Sequence, residues 1–230
     1  MRIWDIDAGF LNDRSLLGEH RELHGIVSII RNKKNGYSRH PETLRWVNYL
    51  RSLIVRHGLL VAEMKLRGFN HDSPIEDESG AYVWPEAFID EPERQYAILR
   101  GKYIDRKGGR IPLPGNSQEL WAYHKYSVMA RNLQRYREIG TGVADGTICF
   151  SELSRELVSL LRMAPPKERC NNALQHMWGY VSDFSEEGFK ENNAAKLLDK
   201  IACLSKKHEI RYLLQSTALG ELRYWCSILV

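Results

Sequence analysis

Apolar residues recur every three or four positions along most of this chain, and this spacing predicts helices. The clearest helix begins at Asn12 or Asp13, whose side chains can cap it, and runs to about Ile30. Its apolar stripe is formed by Leu16, Leu23, Val27 and Ile30. The alternation typical of strands is nearly absent, so the pattern predicts an all-α fold.

Glycine and proline divide the next part of the chain. Asn35-Gly36 predicts a turn, and Pro41 suits the first residue of a second helix. The apolar face of that helix is assigned to Leu44, Val47, Leu50 and Ile54. A further helix over about 59–67 ends at Gly68, a typical residue after a helix. Residues 70–93 are predicted as loop and short helix, with another short helix over about 93–103.

A segment rich in glycine and proline, residues 107–116, is the best candidate for a domain boundary. We therefore predict two helical domains, residues 1–112 and 117–230. Helices of the second domain are predicted at about 118–138, 151–163, 168–182, 191–206 and 208–228.

The composition fits an ordinary globular protein, with 230 residues, 43% hydrophobic and 27% charged. No apolar run is long enough to span a membrane and the start has no signal-peptide core, so we expect a cytoplasmic protein without a membrane partner. The cysteines lack metal or disulfide spacing and are expected to be small buried hydrophobes: Cys149, Cys170, Cys203 and Cys226.

Positive charge is concentrated between residues 31 and 56. Seven arginines and lysines stand there against one acid, Glu42. Such a segment can follow a phosphate backbone, or it can be a solvated helix face with a charged loop.

The first helix carries an Arg21-Glu22 pair close to the amino end of the chain. An α-amine has a pKa of only about 7.7–8.0, so a useful fraction is a neutral nucleophile at cellular pH. Gly18 and Gly25 share a helix face with this pair. They indicate a close approach to the backbone by the N-terminal segment, by a ligand or by another helix.

His20 and His24 are four residues apart and lie on one helix face. The spacing suits two metal ligands, but no third ligand is evident and Glu22 lies on another side of the helix. We therefore predict neither a metal nor a cofactor, and expect His20 to line a pocket or to cover apolar surface.

Three segments of the N-terminal part carry a family resemblance: Arg2-Ile3 at the start, residues 17–23, and residues 59–70 with their Arg-Gly-Phe-Asn turn. In their order and spacing they resemble the pyrimidine-dimer DNA glycosylase family, of the phage endonuclease V type. The chain departs from the phage pattern at Ser15 and Gly25, where the phage enzyme has a histidine and an arginine. The reaction class therefore transfers better than the choice of lesion.

The resemblance implies a mechanism and a partner, damaged double-stranded DNA. The α-amine of the first residue attacks C1′ of the damaged nucleotide and forms an imine, a glutamate assists, and β-elimination cuts the strand. This assigns Met1 and Glu22 as catalytic residues. Because Arg2 is large, aminopeptidases are expected to leave Met1 in place. The predicted DNA contacts are Arg2, Arg14, Arg21, Arg31, Lys33 and Lys34.

The C-terminal part resembles the YbgA-like domain of unknown function, through residues 120–130, 136–140 and 172–180. Basic and aromatic residues there can form a platform for stacking and phosphate contact, with RNA as one partner. They can equally be helix-packing aromatics with a hydrogen-bonded histidine. The residues are His124, Lys125, Tyr126, His176 and Tyr180.

Together these patterns predict a DNA repair glycosylase with associated AP lyase activity. The alternative is a non-catalytic nucleic-acid binding module, directed at RNA or modified bases through the C-terminal domain. A C-terminal enzyme acting on a modified base is a third interpretation, but no nucleophile–base set supports it.

Overall fold

The computed structural model describes residues 1–77, 80–185 and 193–228, and within these ranges it is all-α with no strand, as predicted. The helices are α1 Asp13–Arg31, α2 Pro41–Trp46, α3 Leu50–Leu66, α4 Pro92–Lys102, α5 Ser117–Met129, α6 Leu133–Ala144, α7 Phe150–Leu161, α8 Lys167–Trp178, α9 Ala194–Lys207, α10 Arg211–Leu214 and α11 Ala218–Ile228. Short 3-10 helices occur at Ala8–Phe10, Gly36–Arg39 and Ser182–Phe184. In the described part, no helix combines the length and the apolarity needed to cross a bilayer.

Helix α1 begins and ends where the sequence predicts. The Asn12 side chain accepts a hydrogen bond from the Ser15 amide over 2.9 Å and so caps the helix. Leu16, Leu23 and Val27 are buried in the core, with Ile26 beside them. A local cap and a local stripe thus define this helix, which carries much of the site described below.

The second predicted helix is shorter than expected. Two of the four residues assigned to its apolar face are exposed, whereas Leu50 and Ile54 lie on α3, where Leu50 packs against the core and Ile54 is buried, as predicted. Helix α2 ends at Trp46, and the side chains of Leu44 and Val47 are 59% and 46% exposed. The buried face of α2 instead holds Glu42, Arg45 and Trp46, because both Arg45 Nη1 and Trp46 Nε1 donate to the Glu42 carboxylate. Polar partners from the same helix satisfy this buried charge.

Helix α3 is continuous through the predicted break before Leu59. It ends where predicted, at Gly68, which has a φ of +86° and adopts the left-handed conformation that glycine tolerates. The Phe69 amide then donates to the Met64 carbonyl over 3.0 Å, which closes the helix end. Residues 70–77 and 80–91 follow as loop without the predicted short helix.

Two long helices predicted in the second half are each divided. Residues 118–138 form α5 and α6, because Asn132 starts a new helix by accepting from the Arg135 amide over 3.0 Å. Residues 208–228 form α10 and α11, because the Thr217 amide donates to the Tyr123 carbonyl instead of continuing the helix. Residues 191 and 192 of the predicted fourth helix lie outside the described part.

The hydrophobic core is not divided at residues 112–117. One buried cluster runs from Ile3 to Leu160 and joins α1 and α3 to α5, α6 and α7. A second cluster, from Tyr126 to Cys226, lies among α5, α8, α9 and α11. Helix α5 contributes to both clusters, so the boundary between residues 1–112 and 117–230 stays a prediction from the sequence.

Candidate active site at the amino terminus

The first residues of the chain lie along α1 and are held by two of its glutamates. The Arg2 amide donates to Glu22 Oε2 over 2.5 Å, and the Trp4 amide donates to Glu19 Oε1 over 3.1 Å. Glu19 and Glu22 are three residues apart, so they lie on the same face of α1. The N-terminal segment therefore crosses the helix at the carboxylate that the sequence analysis singled out.

The α-amine of Met1 is close to Glu22 by covalent geometry. It is three bonds from the Arg2 amide nitrogen, which limits the separation of these two nitrogens to about 3.7 Å. With the 2.5 Å hydrogen bond, the amine lies within about 6 Å of the Glu22 carboxylate. Met1 itself is half-buried and packs against the first core cluster.

Glu19 is buried and bound to an arginine that the sequence analysis had counted as part of a basic surface. Arg56 Nε and Nη2 donate to the two Glu19 oxygens over 2.8 and 2.9 Å. Arg56 Nη1 also donates to the Ile6 carbonyl over 2.9 Å. The Glu19–Arg56 pair thus anchors the N-terminal segment to α1 and α3, and Glu22 is the second carboxylate of α1 that contacts this segment.

A cleft of about 340 Å³ opens beside Glu22, and we call it the N-terminal cleft. Four basic residues from separate elements line the cleft. They are Arg2 in the N-terminal segment, Arg14 on α1, Lys102 at the end of α4, and Arg106 in the turn that follows α4. Because Arg56 compensates Glu19, the positive side chains outnumber the remaining acid, Glu22. The cleft thus suits an anionic ligand such as a phosphate-bearing chain.

Tyr103 lines the cleft and holds two of its elements together. Its hydroxyl oxygen accepts a hydrogen bond from the Asn12 amide over 2.7 Å, which ties the end of α4 to the start of α1. Burial raises the pKa of Tyr103, so the hydroxyl stays protonated at neutral pH. Lys102, Tyr103 and Arg106 were not predicted from the sequence, because they lie more than 75 residues from Glu22 and share no motif with it.

The predicted contact residues near the cleft differ in their surroundings. Arg2 pairs with Asp90 over 2.7 Å and lies 4.9 Å from the centre of the Trp4 ring, so its charge already has partners. Arg14 is exposed and lines the cleft. Arg21 is exposed on α1 but is not among the lining residues.

The remaining predicted contacts lie at the other end of α1. Arg31 is nine residues beyond Glu22, a distance of about 14 Å along the helix axis. Its guanidinium donates to the Glu76 carbonyl over 2.7 Å, and Lys34 Nζ donates to Ser28 Oγ over 2.8 Å. Lys33 is exposed there with a φ of +49°.

The basic segment from residue 31 to residue 56 is only partly a surface. Arg45 and Arg56 are buried and bound to acids, Arg45 to Asp5 and Glu42 and Arg56 to Glu19. Neither interpretation of this segment, a phosphate-binding surface or a solvated helix face with a charged loop, therefore applies to Arg45 and Arg56. Charge counts along a sequence cannot separate exposed bases from buried ion pairs.

No part of the described chain closely approaches Gly18 or Gly25. A Cβ placed on either glycine would meet no atom within 4 Å. Packing by the N-terminal segment or by another helix at these two positions was thus a wrong prediction. Gly18 instead lines the open N-terminal cleft, where only a ligand remains as an occupant.

The structure brings four histidines together on the far side of α1, and we call them the histidine cluster: His20, His24, His57 and His71. The prediction that His20 and His24 lack a third ligand was wrong, because α3 and the loop after it supply two more rings. Burial and the neighbouring rings lower the pKa of His20 to about 4 and that of His57 to about 3. Burial also lowers the pKa of His24. These three rings are therefore neutral at pH 7.

The predicted platform of the second half is only partly assembled. His124 is buried, where its Nδ1 lies 2.8 Å from the Leu120 carbonyl and its ring stacks on Phe10 at 5.5 Å. Burial lowers the pKa of His124 to about 4, so it is a neutral core residue, and its prediction as a nucleic-acid contact was wrong.

The other members of the platform differ in exposure. Tyr126 is buried, while His176 and Tyr180 are exposed. Lys125 Nζ lies 4.5 Å from the centre of the Tyr212 ring, and Tyr212 packs against Tyr180 at 4.9 Å. Only a small cation–aromatic group therefore reaches the surface.

Comparison with known proteins agrees with the geometry of the amino end. Residues 1–77 match the family model of pyrimidine dimer DNA glycosylases. The N-terminal part is thus a pyrimidine dimer DNA glycosylase-like domain, and the resemblance stated from the sequence is confirmed. The match contains Met1, Glu22 and the whole histidine cluster, whereas Lys102 and Arg106 of the cleft lie beyond it.

A second family matches the C-terminal part of the chain. Residues 125–221 match a family described as protein of unknown function (DUF1722), in agreement with the C-terminal resemblance. No curated protein matches the chain. A search of solved structures also gives no match. Of these two family matches, the one over residues 1–77 indicates a chemistry and the one over residues 125–221 does not.

Proposed function

We propose that this protein is a DNA glycosylase with associated AP lyase activity, and that it acts on damaged double-stranded DNA. The observation that carries the proposal is the hydrogen bond from the Arg2 amide to Glu22 beside a basic cleft. It keeps a primary amine near a carboxylate at a site that suits phosphates. The match of residues 1–77 to pyrimidine dimer DNA glycosylases supports the same reaction class.

In the proposed reaction, the neutral α-amine of Met1 attacks C1′ of the damaged nucleotide. The C1′–N glycosidic bond breaks, the base leaves with the bonding electrons, and the amine loses its proton. Opening of the sugar ring gives an imine between the Met1 nitrogen and C1′. Loss of a proton from C2′ then expels the 3′-phosphate, and hydrolysis of the imine releases the protein.

Glu22 has two tasks in this sequence. As a carboxylate it stabilises the positive charge that develops on the sugar while the glycosidic bond breaks. As a base it accepts the proton from C2′ during the elimination. Its hydrogen bond to the Arg2 amide fixes the position of one oxygen and leaves the other available for the substrate.

The basic residues of the cleft would hold the DNA by its phosphates. Arg14, Lys102 and Arg106 carry exposed charges around the cleft, and such contacts position a duplex without reading its sequence. Moving the damaged nucleotide out of the stack costs a few kcal/mol, and less where damage already weakens pairing. Phosphate contacts offset that cost.

The test is reductive trapping with borohydride on a duplex that carries one abasic site or one pyrimidine dimer. We expect a covalent adduct that maps to the Met1 peptide by mass spectrometry. Extension of the amino terminus should abolish the adduct, and Glu22→Gln should reduce it strongly. Glu168→Gln, on the exposed first turn of α8, is the matched control and should trap as the wild type does.

The trapping experiment must also distinguish the Met1 α-amine from Lys102, because Lys102 places a second primary amine in the same cleft. The Lys102→Arg variant keeps the charge and removes that amine, and it should still trap. An adduct on Lys102 would overturn the proposed nucleophile. Salt-sensitive DNA binding with no adduct on either lesion would favour the alternative function, a binding module without catalysis.

A further inference from the structure

The histidine cluster is built from three separate parts of the chain. His20 and His24 lie one turn apart on α1, His57 lies on α3, and His71 lies in the loop that follows α3. The Nε2 atom of His57 is 3.1 Å from Nε2 of His20 and 3.1 Å from Nε2 of His24. One nitrogen from each of the four rings lies within 4.8 Å of the other three.

Hydrogen bonding among the rings does not account for this arrangement. A neutral imidazole has one N–H donor and one acceptor nitrogen, so Nε2 of His57 has either one hydrogen to donate or one lone pair to accept with. It can therefore form a full hydrogen bond with only one of its two Nε2 neighbours. Nε2 of His71 is buried and has no hydrogen-bond partner. A buried polar atom without a partner destabilises the fold, so the converging nitrogens need a further group among them.

We propose that His20, His24, His57 and His71 bind a single divalent transition-metal ion of the zinc type. A tetrahedral zinc site with Zn–N bonds of about 2.0–2.1 Å separates its nitrogens by about 3.3 Å. Both Nε2 distances from His57, at 3.1 Å, are close to that value. The other ligand nitrogens lie up to 4.8 Å apart, so binding of the ion would draw these rings closer together to complete the tetrahedron.

The donor set determines which class of ion fits. Imidazole nitrogen suits zinc, copper, nickel and cobalt, whereas magnesium and calcium require oxygen ligands. No carboxylate belongs to the cluster among the described residues. The site should therefore bind Zn²⁺ or Co²⁺ and should not respond to Mg²⁺.

Four protein ligands leave no position for water or substrate, which is the arrangement of a structural rather than a catalytic zinc. The bound ion would join α1 to α3 and to the loop at His71. Glu22 lies between His20 and His24 in the sequence and projects from another side of the same helix. The ion would therefore fix the helix that carries Glu22 without taking part in the proposed reaction, and the proposal does not depend on that reaction.

The experiment uses the full chain without a polyhistidine tag, stripped of metal and titrated with Zn²⁺, Co²⁺ and Mg²⁺. We expect one Zn²⁺ per chain by elemental analysis, and visible absorption typical of tetrahedral Co²⁺. Mg²⁺ should produce no change. Zinc should also raise the melting temperature of the wild type, because the ion binds the folded state.

Two ligand variants and one matched control test the assignment. His71→Gln and His57→Gln should each weaken zinc binding by more than about 100-fold, since even loss of an outer partner costs 10–100-fold. His176→Gln, an exposed histidine on α8, should bind as the wild type does. If the buried His57→Gln variant does not fold, the half-buried His71→Gln variant carries the test.

Two results would overturn the proposal. One is a wild type that binds much less than one zinc per chain and shows no tetrahedral cobalt spectrum. The other is a His71→Gln variant that binds zinc as tightly as the His176→Gln control. Neither readout involves DNA, so failure here is distinguishable from failure of the proposed glycosylase activity.

Discussion

The backbone amide of Arg2 donates a 2.5 Å hydrogen bond to the carboxylate of Glu22. This contact joins the first peptide of the chain to the middle of α1. It depends on Glu22 as an acceptor but not on the charge of Glu22. Position and charge can therefore be separated by substitution.

Glu22→Gln should keep the hydrogen bond to Arg2 and lose the base. If the proposed reaction holds, the rate of strand cleavage at an abasic site should fall by about 10²–10⁴-fold, the usual contribution of a general acid or base. The affinity for the same DNA should change little. Single-turnover cleavage and equilibrium binding measured on one duplex check this, and equal losses in both would contradict a catalytic role.

The cleft predicts which cations bind DNA. Removing Arg14, Lys102 and Arg106 together, each as glutamine, should weaken binding and lower the slope of log K against log salt by about 2–3, near 0.9 per lost phosphate contact. The measurement is a salt titration of binding by fluorescence anisotropy. A double variant of the exposed α8 residues Lys167 and Arg169 is the control.

The same titration tests the far end of α1. If the duplex runs along the helix, removing Arg31, Lys33 and Lys34 should also lower the slope. An unchanged slope would restrict the DNA contact to the cleft. A control variant that loses as much as the cleft variant would show that binding is spread over the whole surface.

Breaking the buried Arg56–Glu19 ion pair should strongly lower the free energy of unfolding. Arg56→Met leaves a buried carboxylate without its partner and should lower the free energy of unfolding by about 3–5 kcal/mol. The double variant Glu19→Gln with Arg56→Met should recover part of this loss. Arg155→Met breaks an exposed 3.4 Å pair with Glu91 and should cost less than about 1 kcal/mol in urea denaturation.

The sequence predicts those parts of the site whose pattern lies within a single helix. The Asn12 cap and the stripe through Leu16 and Leu23 lie within one helix, so periodicity predicts α1 correctly. Glu22 follows from its helix and its nearness to the chain start. His20 and His24 are likewise found by their spacing.

The remainder of the site depends on tertiary contacts that spacing does not contain. Arg56 reaches Glu19 across 37 positions, and His57 reaches His20 across the same separation. From the sequence, Arg56 was counted as a surface cation and His57 was not considered. The burial of Arg45 was missed for a similar reason, because its partner Asp5 lies 40 residues away.

The segment over residues 107–116, predicted as a boundary, is tied to the N-terminal part at Gly109. A Cβ on Gly109 would lie 2.5 Å from the Gly9 carbonyl oxygen and 2.6 Å from the Phe10 backbone. Gly109→Ala should therefore destabilise the fold by about 1–3 kcal/mol, because backbone cannot move aside as a side chain can. A Cβ on the neighbouring Gly108 meets nothing within 4 Å.

Gly108→Ala is thus the matched control, and we expect it to be neutral or slightly stabilising. Thermal and urea denaturation of both variants check the comparison. Equal stability of the two variants would mean that the segment does not pack on Gly9 in solution. Residues 107–116 would then behave as the free linker that their composition indicates.

Asp7 makes the stability of the protein depend on pH. Burial, with repulsion from Glu63, raises the pKa of Asp7 to about 7 in the fold, from 3.8 in an unfolded chain. Between these values the folded state holds a proton that the unfolded state releases. The contribution of Asp7 to the free energy of unfolding is therefore fully present below about pH 4 and is lost as the pH rises to 7. The loss is at most about 1.4 kcal/mol per pH unit.

Asp7→Asn should remove this dependence. The amide oxygen still accepts the 2.7 Å hydrogen bond from the Gly9 amide, and no charge is left to bury. From pH 5 to pH 7 the variant should gain roughly 2 kcal/mol relative to the wild type in urea denaturation. Asp145→Asn, at an exposed carboxylate, should keep the wild-type profile. Parallel profiles for wild type and Asp7→Asn would mean that Asp7 is already ionised in the folded protein at pH 5.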